Sequence, residues 1–131
     1  MLKSQKSNMD SLLKTTLQTL DKMKQIAAWL HEKKGENIMV MDVRGVSSLT
    51  EGLVLATARG VRHAQALADH ILERSAGYSL DYLGMEGYRT GTWVLLDLND
   101  VLVHIFQADA REFYNLEGLW NEARTVDICP A

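Results

Sequence analysis

Apolar residues at Met9, Leu12, Leu13, Leu17, Leu20, Met23, Ile26, Ala27 and Leu30 recur at steps of three and four. That period belongs to a helix with one apolar stripe and predicts about 22–25 helical residues. Ser7-Asn8 offers a start, and Gly35 after Lys33-Lys34 offers a left-handed stop with cations at the negative helix end. Ile38 to Val43 is apolar on nearly consecutive positions, the mark of a strand covered on both faces. After a loop rich in Gly and Ser, Leu53 to Thr57 reads as a second buried strand. Val61, Ala64, Leu67, Ala68, Ile71 and Leu72 mark a second amphipathic helix that closes near Gly77. Tyr82 to Glu86 is a weak third strand, and Thr92–Asp97 and Val101–Phe106 are two strong ones. Asp109 with Glu112 resembles a capping box for a short helix through Tyr114. Leu116, Leu119 and Trp120 form a last apolar turn, and Thr125 to Ala131 reads as a frayed tail. The order predicts an α/β fold with a single mixed β-sheet of about four to five strands packed with helices. The expected organisation is a flexible segment at 1–8, one domain at 9–122 and a tail at 123–131.

The segment from Trp93 to Phe106 carries the most information. Two strands joined by a tight turn form an antiparallel hairpin. A two-residue turn at Leu98-Asn99 or at Asn99-Asp100 pairs odd positions of one strand with even positions of the other. Both registers give the same faces, because only an odd slip exchanges them. One face carries Val94, Leu96, Val101, Val103 and Ile105 and belongs against the helices. The other carries Trp93, Leu95, Asp97, Leu102, His104 and Phe106. Two large aromatics with a carboxylate and an imidazole suit a binding surface better than a core. The competing reading is a second, smaller core under the C-terminal helix.

Composition narrows the class of protein. With 131 residues, 47% hydrophobic and 24% charged, the chain has ordinary globular composition. Its single cysteine, Cys129, supports neither a disulfide framework nor a thiolate metal site. No apolar run approaches a bilayer span and no leader-type block opens the chain, so a soluble, cytoplasmic protein is expected. The net charge of −3 hides a division. All seven lysines lie in residues 1–34 against three acids; residues 35–131 hold seven arginines and fourteen acids. An anionic body favours a basic protein partner over direct, sequence-specific contact with nucleic acid.

No catalytic constellation emerges. His31, His63, His70 and His104 include no pair at helical metal-binding spacing, and no metal or cofactor is expected. Ser47-Ser48 has no base beside it in sequence, and Gly45, Gly52 and Gly60 are too far apart for a phosphate loop. Arg44, Arg59 and Arg62 read as solvated surface rather than as an anion grip. Asp97 and Asp100 suit turn chemistry, although paired carboxylates also bind Mg²⁺. A Mg²⁺-dependent nucleotidyl or phosphoryl transferase is therefore the alternative to a non-enzymatic binding protein. A homodimer joined through the Trp93 face is a third arrangement.

The run from Trp93 through Asp97, Asp100, His104 and Phe106, continuing through Ala110-Arg111-Glu112-Phe113-Tyr114 to Trp120, resembles the iojap family of ribosomal silencing factors. Met41-Asp42-Val43-Arg44-Gly45, Ala56-Thr57, Arg62-His63 and Ala66 to His70 match the same pattern, so the resemblance spans roughly residues 12 to 122. It implies a nucleotidyltransferase-like fold without catalytic residues. It also implies a factor that binds the large ribosomal subunit through ribosomal protein L-fourteen and obstructs docking of the small subunit, repressing translation under nutrient limitation. The implied contact residues are Trp93, Asp97, Asp100 and His104, with Glu86 and Phe106. Arg111, Tyr114 and Trp120 match too and suit packing of the last helix. Glu51-Gly52-Leu53 departs from an aromatic pair usual in the family, and Ala58-Arg59-Gly60 from a usual Gly-Thr-Ser.

Overall fold

A computed structural model describes residues 18–78, 80–119 and 124–126. Residues 18–32 are helical and form the described part of α1. Among the described residues six strands follow: β1 (Glu36–Asp42), β2 (Gly52–Ala58), β3 (Gly84–Glu86), β4 (Trp93–Asp97), β5 (Val101–Gln107) and β6 (Arg124–Val126). Helix α2 (Val61–Gly77) lies between β2 and β3; α3 (Ala108–Tyr114) and α4 (Leu116–Leu119) follow β5. The strands make one mixed sheet in the order β3-β4-β5-β2-β1-β6. Only the central pair, β2 and β5, is parallel, in register from Gly52↔Val101 to Ala58↔Gln107.

The larger core lies between the sheet and the two long helices. Met23, Ile26 and Leu30 of α1 and Ala64, Leu67 and Ile71 of α2 meet Val54, Val94, Leu96, Val103 and Ile105. This is the aliphatic hairpin face, packed as its pattern predicts. β2 is buried along its whole length and β1 over its second half, which explains their near-continuous apolar runs. Gly52 matters here, because a Cβ at that position would run into the buried Met23 thioether. An aromatic residue at Gly52 would therefore have to displace the Met23 side chain of α1.

Several expectations change, beginning with the end of α1, where the left-handed residue is Lys34 at φ 63° rather than Gly35. The sheet has six strands, because Arg124–Val126 pairs with Val40–Asp42 as an edge strand where a frayed tail beyond residue 122 is expected. Tertiary pairing with β1 supplies what three residues of local pattern cannot. The capping box at Asp109 and Glu112 does not form: Gln107 is the N-cap, and the Asp109 carboxylate instead accepts the Ala110 amide. Helix α3 starts earlier because it follows β5 without a linker. The expected helix start at Ser7-Asn8, the 1–8 boundary, Trp120 and Cys129 lie outside the described residues.

Gly87 opens the turn between β3 and β4 at φ +80°, and a Cβ there would collide with the Trp93 carbonyl. Gly87→Ala combines left-handed strain with a backbone clash and should lower stability by about 2 kcal/mol or more in urea unfolding.

Candidate partner-binding face

The β4–β5 turn sets which side chains share a face. Leu98 donates to the Val101 carbonyl at 2.9 Å, so the loop is the two residues Asn99-Asp100, with Asn99 at φ 78°. Trp93 then pairs with Phe106, Leu95 with His104 and Asp97 with Leu102. On the edge strand Glu86 pairs with Leu95, which puts Glu86 on the same face. Across β5, His104 sits beside Leu55 and Phe106 beside Thr57. Trp93, Leu95, Asp97, Leu102, His104, Phe106 and Glu86 thus share the face turned away from α1 and α2.

This face is layered, and the expectation of a freely open surface needs correction. Phe106 is fully buried and His104 is 6% exposed, inside a second core with Met41, Val43, Leu53, Leu55 and Ala110. Trp93, Leu95, Asp97 and Leu102 are half-buried, and Glu86 is exposed. Helix α3 folds back from the end of β5 and covers the inner rings. Arg111, itself buried, anchors it: its guanidinium donates to the Asn37 carbonyl at 2.6 Å and to Thr57 Oγ1 at 2.8 Å, and it pairs with Glu117. The Thr57 hydroxyl is buried, and the guanidinium that binds it also reaches the backbone of β1, so Arg111 serves packing.

The aromatic groups form one stack. The Trp93 ring lies 4.9 Å from Phe106 and 4.8 Å from Tyr114, and the His104 ring is nearly parallel to Phe106. Trp93 Nε1 donates to His104 Nδ1 at 3.0 Å. His104 is therefore the neutral acceptor, and burial pushes its pKa down to about 4. With its N–H engaged internally, the indole offers a partner its ring rather than its donor. Phe113, 81% exposed, and Tyr114 extend the apolar surface from α3. Phe113 escapes a periodicity reading because a seven-residue helix is too short to show which face it presents.

Asp100 does not join this face. Its carboxylate pairs with Lys22 of α1 and accepts from Thr19 Oγ1 at 3.0 Å. Asp97 accepts from the Asn99 amide at 2.9 Å, a local turn bond. The two carboxylates are thus held by different partners and do not converge on a common cation. Among the described residues no group of three or more His, Cys, Asp or Glu is placed to hold a metal ion. No described helix is long and apolar enough to cross a membrane. Arg44 is engaged by the Asp42 carboxylate.

A family model described as ribosomal silencing factor during starvation matches residues 16–130. The Bacillus subtilis ribosomal silencing factor is 34% identical over 106 residues, covering 81% of this chain and 90% of that protein. A crystal structure of a Chromobacterium violaceum protein superimposes with a TM-score of 0.74 at 31% identity, over 77% of this chain and 85% of the other. A more distant relative, from mouse, carries the name mitochondrial assembly of ribosomal large subunit protein 1. It is 24% identical over 98 residues, covering 72% of this chain and 43% of that protein.

The buried imidazole has a pH signature. Folded His104 stays neutral down to about pH 4, while the free side chain protonates near 6.5. Between those values the unfolded chain binds a proton that the folded chain refuses, so stability falls as pH drops through this window. The full effect is at most about 3 kcal/mol. Urea unfolding at pH 7 and pH 4.5 should show the loss, and His104→Leu should remove this part of it.

Proposed function

The chain belongs to the ribosomal silencing factor family, and from that premise we propose that it binds the large ribosomal subunit through ribosomal protein L-fourteen and blocks docking of the small subunit. Translation is repressed in this way when nutrients are scarce, in the cytoplasm. The observation that carries the reading is the Trp93 face: a half-buried indole on a rigid aromatic base, flanked by Leu95 and Leu102 and bordered by Asp97 and Glu86. Aromatic anchors of this kind concentrate binding energy. Carboxylates beside them steer a basic partner, and ribosomal proteins are generally basic. The name of the mouse relative, with its large subunit, supports the choice of subunit.

The mechanism is occupancy, with no bond made or broken. A stable contact of this kind removes about 1,200–2,000 Å² of surface from water. That patch must overlap the area the small subunit needs. His104 and Phe106 act from beneath, by fixing the tilt of the indole, while Trp93, Asp97 and Glu86 meet the partner. The Mg²⁺-dependent alternative would need Asp97 and Asp100 to share a cation, and their separate partners disfavour it.

Trp93→Ala should weaken binding to purified large subunits by about 30-fold or more, read by co-sedimentation, with the fold intact. A folded variant that still binds at full affinity would sink the site assignment. Reversing charge at Glu86 and Asp97 together should slow association and flatten its salt dependence in stopped-flow measurements.

A further inference from the structure

Three segments far apart in sequence bring cations to one end of the molecule. Lys33 and Lys34 leave α1, Arg59 and Arg62 flank the start of α2, and Arg89 sits in the turn between β3 and β4. Specific contacts hold these segments together. The His63 ring accepts the Arg59 amide at Nδ1 and donates from Nε2 to the Lys33 carbonyl, each at 2.9 Å. Gln65 donates to the Tyr88 carbonyl at 2.9 Å, and Gly91 lies so close to Val61 that a Cβ would clash.

All five side chains are exposed, and none has an ion pair among the described residues. Lys22, Arg44, Arg74 and Arg111 each do. Of the neighbouring acids, Asp69 is engaged by the Tyr88 hydroxyl and Glu32 by His70 and Arg74, while Glu36 follows Gly35 and Glu73 lines a cavity with Lys33, on the α1 side of the group. The first turn of α2 holds no acid, although acids stabilise that end of a helix. Packing thus gathers like charges whose mutual repulsion opposes folding, in a chain that is anionic as a whole. Such an arrangement suits an external polyanion. Screening over about 10 Å lets this patch act locally despite the net charge. An acidic protein segment would call for an apolar anchor, and Val61 is the single exposed apolar side chain within the group.

We propose that Lys33, Lys34, Arg59, Arg62 and Arg89 form a docking surface for the phosphate backbone of RNA, contacted without base readout. The choice of RNA rests on the functional reading above, which seats the protein on a particle built largely of RNA. The geometry gives the molecule two differently charged contacts, an acid-bordered aromatic face for protein and a basic end for phosphate.

The test uses the full chain and a labelled RNA duplex of about 20 base pairs and mixed sequence, in anisotropy titrations from about 50 to 200 mM salt. The wild type should bind more weakly as salt rises. The triple variant Arg59→Ala, Arg62→Ala, Arg89→Ala should bind about tenfold more weakly at the lowest salt, for any sequence, with a shallower salt slope. Its thermal midpoint should not fall. Trp93→Ala should bind the duplex like the wild type. The proposal is overturned by a wild type that ignores the duplex, by a triple variant that binds it unchanged, or by polyglutamate competing as well as RNA. Loss of subunit binding in Trp93→Ala with normal duplex binding separates the two surfaces. Duplex binding through the arginines without any subunit binding would overturn the earlier reading and leave this surface standing.

Discussion

Asp100 binds Lys22 and Thr19 of α1 through its carboxylate, while its carbonyl takes the amides of Glu51 and Gly52 and the Thr50 hydroxyl. Lys22 also donates to the Leu98 carbonyl at 2.6 Å. One turn residue is thereby tied to a helix, to the start of the central strand and to the hairpin it closes. This clamp holds the loop at two residues, and loop length decides the parity of β4 against β5. With an even loop Val94, Leu96, Val103 and Ile105 go to the helices, and Trp93, Asp97 and His104 go to the other side. A slip of one residue would send the indole into the main core and the aliphatic set into water, losing several side chains' worth of burial at about 1.5–3 kcal/mol each.

The second face gains its rigidity from what lies below it. A lone tryptophan on a sheet would sample several rotamers and lose that freedom on binding. Here the His104 acceptor, the Phe106 ring and Tyr114 restrict the indole before any partner arrives. The cost falls on folding instead, through an imidazole kept neutral by burial. Arg111 completes the arrangement by fastening α3 to the backbone of β1 and the side chain of Thr57. His104 and Phe106, two residues expected at the contact, are buried and instead fix the indole above them.

The places where the chain departs from the pattern it resembles have local causes or consequences. Gly52 is small because Met23 of α1 occupies the space an aromatic side chain would need. Arg59-Gly60 leaves α2 without a side-chain cap, and the His63 ring takes the Arg59 amide instead. The capping duty moves into the helix, and the position ahead of it is left to an exposed arginine.

Much of the architecture follows from the chain alone. Periodicity determines α2 and the strands β1, β2, β4 and β5 and gives β3 only weakly, and a two-residue turn at either position determines the membership of the two hairpin faces, because parity is a local property. Local pattern says nothing about what lies on top of a face. The burial of His104 and Phe106, the turning of Asp100 toward α1, the pairing of β6 and the gathering of Lys33, Arg59 and Arg89 all join residues distant in sequence. Those contacts exist only once helices and strands have packed, and the geometry of packing, rather than the pattern of any one segment, decides which polar groups meet water and which meet each other.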